Sequence, residues 1–352
     1  MEQKSLALAL LKGGNWGPYE ALTEAFLPTR YGELLTEAME ALNWDALYLS
    51  HVHGFGHIER TMIHGAMCAW AEELPEAETR LLLQMCSYHD TGRTSDFLDG
   101  AHGARSAEKL ASLTGLAGED LKAAMAGVEA HSLNDRMMDE VLDRYAPADR
   151  PRALLLAEML KDADGLDRVR IRDLNVKFLR RKDSASRAGF AQELFDRYVA
   201  AEAAQGRTLE DGGFDLDTIQ KVKAFVADCF GRGASCAQTG MMALGMLTGT
   251  EISSQLLDAC TGETDVCGLL HAALLFFGIW YGNQGRSGAE ITALRRKYRA
   301  KFAAQYGSEL CREMKPQVGC SGFAVDGILF AIQFFEEENK NKNKTENGVG
   351  KS

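Results

Sequence analysis

Glu76–Arg93 reads EAETRLLLQMCSYHDTGR, with Pro75 immediately before it. A proline at a first-turn position followed by apolar residues at helical spacing predicts an α-helix over Glu76–Asp90. Cys86 falls on its apolar face and is expected in the core. The helix ends on His89 and Asp90. Successive helical residues point about 100° apart, so the two side chains do not duplicate each other at one ion. A carboxylate has two oxygens, however, and can bridge to a second ion, so the adjacent pair suits a dinuclear centre.

Working outward, the same spacing predicts helices over Tyr19–Leu42, Ile58–Glu73, Arg105–Leu113, Gly118–His131, Met137–Tyr145, Pro151–Asp162 and Ala188–Ala203. In the second half it predicts Asp217–Phe230, Ser235–Leu247, Ser253–Ala259, Gly268–Tyr281, Glu290–Tyr306, Glu309–Met314 and Gly322–Glu336. No segment requires a strand. Only 6 prolines occur among 352 residues, and Ala, Leu, Glu and Met are abundant, so the expected class is all-α.

The chain carries 39 basic and 50 acidic residues, a net charge of −11, which argues against a nucleic acid polymer or an anionic membrane as main partner. The apolar run Leu6–Leu11 is too short for a secretory signal, and Leu269–Ile279, interrupted by His271, is too short to span a bilayer. The expected location is the cytoplasm. Seven of the 8 histidines lie between His51 and His131, whereas six of the 8 cysteines lie between Cys229 and Cys320. This segregation predicts a metal-binding helical domain over 1–204 and a smaller helical cysteine domain over 215–335, joined through the Gly- and charge-rich stretch 205–214. The tail 336–352, without apolar periodicity, is expected to be disordered.

The chemistry-bearing residues of the first half are His57, His89, Asp90, His102, His131 and an Asp within Lys161-Asp-Ala-Asp-Gly-Leu-Asp167. Imidazole nitrogen with carboxylate oxygen suits Fe, Mn, Ni or Zn. Asp162 and Asp164 lie about 200° apart on a helix, so only one faces the centre, and Asp164 is expected to be that one. Four histidines and two carboxylates suffice for two divalent transition ions about 3.5–4 Å apart, the arrangement that activates water for phosphoryl displacement. Arg60, Arg93 and Lys161 adjoin these residues and suit a substrate phosphate. His51, His53 and His64 stay outside the ligand set, with His53, one turn before His57, a candidate for facing substrate.

The segments HGFGHIERT, LLLQMCSYHDTGR, HGARSAEKL, GVEAHS and LLLAEMLKDADGLDRVR resemble, in order, the HD-domain superfamily, over residues from about 50 to 185. The resemblance implies a helical bundle with metal ligation by His57, His89, Asp90 and Asp164, and a second ion completed by His102 and His131. It also implies hydrolysis of a phosphorylated, nucleotide-like small molecule, with Asp90 bridging at the catalytic centre. A minority branch with the same six ligands is a di-iron oxygenase. A nucleotide or redox sensor with a non-catalytic metal site is the reading outside enzymology.

The second half contains no CxxC pair. Cys236 opens a predicted helix and Cys311 lies near another helix start, where the positive end of the helix favours thiolate. Ser235–Gln238, Cys267-Gly268, Tyr306–Glu313 and Cys320 resemble a small helical family defined by four cysteines and a CGAxxG motif, over about 220 to 335. The motif departs here, with Leu269 and Ala272 in place of small residues. The resemblance implies dithiol redox or soft-metal chemistry at Cys236, Cys267, Cys311 and Cys320; a thiol redox partner and redox control of the hydrolase by this second domain are expected alongside it. Cys68 is expected in the core, and Met241, Met242 and Met246 as a packing stripe.

Overall fold

The computed structural model describes residues 5–50, 52–205, 216–260, 265–314 and 320–349; at 216, 321 and 340–349 it describes the backbone alone. Among these residues the chain forms eighteen α-helices and no strand, so the fold class is all-α. The described residues divide into two compact units, 5–96 with 100–205 and 97–99 with 216–349. The boundary expected at 205–214 lies, apart from Gln205, outside the described residues.

The first unit opens with α1 (Leu6–Lys12), whose first free N–H groups are satisfied by side chains. The Ser5 hydroxyl accepts from the Leu8 N–H, and the Glu59 carboxylate accepts from the Leu6 and Ala7 N–H groups at 3.0 and 3.1 Å. The single helix expected over Tyr19–Leu42 is instead α2 (Glu20–Phe26) and α3 (Arg30–Glu40). Pro28 has no N–H to continue the ladder, and Thr29 turns extended and caps α3 by accepting from the Gly32 N–H. Then follow α4 (Phe55–Ala71), α5 (Glu76–Tyr88), α6 (His102–Thr114), α7 (Gly118–His131), α8 (Met138–Tyr145), α9 (Arg150–Leu166), α10 (Lys182–Ser186) and α11 (Ala188–Ala204).

Met62, Ile63 and Met67 of α4, Leu82 and Met85 of α5, Val128 of α7 and Leu160 of α9 are fully buried in one core. Each such side chain contributes about 1.5–3 kcal/mol by leaving water. Cys68 and Cys86 belong to the same core, as their sequence positions predicted. This packing sets ends of α4, α5, α6, α7 and α9 close together, and the chemistry-bearing residues sit at those ends.

The second unit contains α12 (Leu216–Gly231), α13 (Cys236–Thr248), α14 (Ser254–Ala259), α15 (Gly268–Asn283), α16 (Gly288–Tyr306), α17 (Cys311–Met314) and α18 (Cys320–Val349). Capping boxes start α13 at Ser235 and Gln238 and α16 at Ser287 and Glu290. Its core is aromatic: Phe277 stands 4.5 Å from Phe335 and 4.8 Å from Tyr298, both edge-on. Of the methionine stripe, Met241 is buried but Met246 is 44% exposed. The tail expected to be disordered from Glu336 instead continues α18 to Val349, and 350–352 lie outside the described residues. Glu337 and Glu338 pair there with Lys301 and Lys297 of α16, so charge rather than apolar periodicity ties this end of the helix down.

Candidate metal centre

His57 lies in the first turn of α4, His89 and Asp90 directly follow α5, His102 opens α6, His131 ends α7 and Asp164 lies in the last turn of α9. Two glycines let these ends meet. A Cβ on Gly92 would stand 2.4 Å from the His102 carbonyl oxygen and 2.5 Å from the Ser106 nitrogen; one on Gly103 would stand 2.7 Å from the Glu129 carbonyl oxygen. Gly92 thus lets the chain after Asp90 touch the start of α6, and Gly103 lets that start touch the end of α7.

The two oxygens of Asp90 divide the histidines into two pairs. Oδ1 lies 3.0 Å from His102 Nε2 and 3.4 Å from His131 Nε2. Oδ2 lies 3.5 Å from His57 Nε2 and 3.8 Å from His89 Nε2. Asp164 Oδ1 joins the second pair, 3.4 Å from His57 Nε2. Asp162 turns away and accepts from the backbone N–H groups of Arg180 and Arg181. Groups of ligand atoms all within 4.8 Å of one another, enough to hold a metal ion, occur at His57, His89 and Asp164, at His89, Asp90 and His131, and at His53, His57 and Asp90.

Hydrogen bonding on the far side of the rings assigns the tautomers. His57 Nδ1 donates to Asp167 Oδ2 at 2.7 Å, and His89 Nδ1 donates to the Cys86 carbonyl at 2.9 Å. Each ring then presents a bare Nε2 lone pair to the centre, and the two nitrogens face each other at 3.1 Å. Burial lowers the pKa of both imidazoles, so a proton does not reconcile them. Two opposed lone pairs in a buried site fit a cation. Asp90 and Asp164 resist the upward push of burial: Arg93, His89 and His102 hold Asp90 well below the usual carboxylate range, and His57, Arg170 and His89 do so for Asp164.

The three basic residues expected to meet substrate part company. Arg93 Nε lies 2.8 Å from Asp90 Oδ2, at the centre itself. Arg60 instead stands behind His57, with Nε 2.6 Å from Asp167 Oδ1 and its guanidinium over the Tyr198 ring. Lys161 does not face the ligands: its ammonium donates to the Ala130 and Leu133 carbonyls, both at 2.7 Å, and lies 3.1 Å from Asp135. It ties down the end of α7 that carries His131, because a long side chain reaches past its sequence neighbours.

Sequence reasoning passed over Asp167 and Arg170. Asp167 is fully buried and serves His57, Arg60 and Arg170 together. Arg170 Nη2 lies 3.1 Å from His53 Nδ1, which itself lies 3.0 Å from Asp90 Oδ2. His53 therefore touches the centre, as the weaker substrate-facing candidate, while His64 is buried elsewhere in α4 and His51 lies outside the described residues. The signal for Asp167 was its place one turn after Asp164.

In the second unit, all four sequence-selected cysteines sit at helix starts: Cys236 opens α13, Cys267 is the N-cap of α15, Cys311 opens α17 and Cys320 opens α18. Close backbone approach occurs despite the departure from the motif, because a Cβ on Gly268 would stand 2.9 Å from the Ala237 nitrogen.

Fold and site together define a class: an all-α protein with a buried histidine and aspartate cluster that could hold a metal ion. Comparison with protein-family models, with curated proteins and with solved structures returns no match for the chain.

Proposed function

We propose that the chain is a metal-dependent hydrolase of a phosphorylated, nucleotide-like small molecule, using two divalent ions of Fe, Mn, Ni or Zn. The observation that carries this is the opposition of the His57 and His89 lone pairs beside a carboxylate whose two oxygens serve two separate histidine pairs. His57, His89, Asp164 and Asp90 Oδ2 would hold one ion, and Asp90 Oδ1, His102 and His131 the other. Such a pair, when bound, activates water and neutralises phosphoryl oxygens.

Charge supports an anionic substrate. Asp90, Asp164 and Asp167 are already answered by Arg93, Arg170 and Arg60 in contact with them, so bound cations leave the centre positive. Asp164 and Arg93 keep 22% and 11% of their side chains exposed, whereas His57 and His89 keep none, which supports substrate approach from the side of Asp164 and Arg93. Arg93 then orients a phosphate, and Asp167 holds the His57 ring.

The test is a panel of phosphomonoesters and phosphodiesters offered to metal-loaded protein and to His89→Ala. Phosphate release by the wild type alone supports the proposal. An inert wild type that consumes oxygen with a polyol or phosphonate overturns it in favour of the di-iron oxygenase, and ligand binding without turnover overturns it in favour of a sensor.

A further inference from the structure

A cavity of about 380 Å3 opens in the first unit beside the last turn of α4 and the start of α11, and Tyr19, Trp70, Asp183, Ser186, Arg187 and Phe190 line it. Phe190 is fully buried with the Tyr19 ring edge-on at 5.7 Å, and Tyr19 and Trp70 are half-buried. The metal centre is remote: His57 lies in the first turn of α4 and Trp70 in the last, about 20 Å further along the axis.

The polar groups around the cavity leave donors over. Arg187 gives Nη1 to the Met67 carbonyl at 2.8 Å and to Asp183, and Nη2 to the Cys68 sulfur at 3.0 Å, while its Nε is buried without a partner among the described residues. The Ser186 hydroxyl donates to the Asp183 backbone carbonyl at 2.7 Å. The Tyr19 hydroxyl occupies the space a Cβ would need at Gly189, between Ser186 and Phe190 in sequence. Neither that hydroxyl nor the Trp70 Nε1–H has a hydrogen-bond partner among the described residues.

We propose that this cavity binds a neutral nitrogen heteroaromatic of purine size, its ring packed on Phe190 and its acceptor atoms taking the Tyr19 O–H and the Trp70 Nε1–H. Cavities of roughly 300–1,000 Å3 with apolar walls and a few convergent polar groups suit small ligands. Aromatic walls favour a flat ring. Charge selects against ions, because Arg187 and Asp183 neutralise one another at the wall: a quaternary ammonium meets the guanidinium, and a carboxylate meets Asp183. Indole N–H is a donor only, so the ligand edge must accept, and ring nitrogens do so without charge.

Occupancy of this cavity does not depend on bound metal. The full chain is titrated calorimetrically with adenine, benzoate and tetramethylammonium, before and after chelation. Adenine is expected to bind saturably at one site per chain, equally well after chelation, and neither ion to bind in its place. Tyr19→Phe deletes one hydroxyl and is expected to weaken adenine about 3- to 10-fold, the worth of one hydrogen bond, with metal content unchanged. No saturable adenine binding, binding lost on chelation, tighter binding of either ion, or an unmoved affinity in Tyr19→Phe would each overturn the assignment. The wild-type titrations need no variant to fold.

Discussion

Asp167 Oδ2 lies 2.7 Å from His57 Nδ1, joining residues 110 positions apart in the chain. The carboxylate fixes which imidazole nitrogen carries the proton and so aims Nε2 at the centre. Asp167→Asn replaces an obligate acceptor by an amide that can present its NH2 group, and leaves Arg60 without its charge partner. Metal affinity, measured by chelator competition, is expected to fall about 10- to 100-fold. Unchanged affinity would show that His57 is oriented by packing alone.

The division of the histidines between the two Asp90 oxygens has a stoichiometric consequence. His102→Ala removes a donor 3.0 Å from Oδ1 and leaves the Oδ2 group intact. Elemental analysis is expected to drop from two ions per chain to one. Loss of both ions together, or none, would contradict two separable subsites.

Lys161→Met separates a structural role from a substrate contact. The buried Ala130 and half-buried Leu133 carbonyls lose the ammonium as donor, and because Ala130 keeps the Leu133 N–H at 3.1 Å the cost is on the order of 1 kcal/mol. The urea midpoint is expected to fall while kcat/KM per folded molecule changes only a few-fold. A loss of 100-fold or more with an unmoved midpoint, the size expected of roughly 3 kcal/mol of transition-state binding, would restore Lys161 to the substrate.

His64 predicts how stability depends on pH. Both ring nitrogens lack hydrogen-bond partners among the described residues, and burial lowers its pKa from 6.5 to about 3. The folded state binds the proton more weakly than the unfolded chain, so the stabilising contribution is present above pH 6.5 and lost as pH falls towards about 3. The full window amounts to on the order of 5 kcal/mol. Urea titrations of His64→Leu are expected to show a shallower loss of stability with acid than the wild type; parallel slopes would rule His64 out as the source.

Periodicity located most helices because burying one face imposes its spacing locally. It failed where a local chemical event interrupts the pattern. Pro28 and Thr29 split α2 from α3, and the polar stretch beyond Glu336 stays helical, with Glu337 and Glu338 paired to Lys301 and Lys297 of α16. Among site residues, His57, His89, Asp90, His102, His131 and Asp164 were legible as a spaced set, and the structure brings all six together. Lys161, expected beside substrate, reaches instead to the Ala130 and Leu133 carbonyls, because adjacency in sequence says nothing about where a four-carbon stem ends.

The order and kind of donors along the chain, the helical class and the separation of histidine from cysteine chemistry are properties of sequence alone, since each depends on residue type and local spacing. Which oxygen of Asp90 faces which histidine pair, and that Asp167 rather than solvent accepts the His57 hydrogen bond, were decided only by tertiary structure. Those relations join distant helix ends, and close packing at Gly92 and Gly103 sets their separations to within an ångström, a precision that no local pattern encodes.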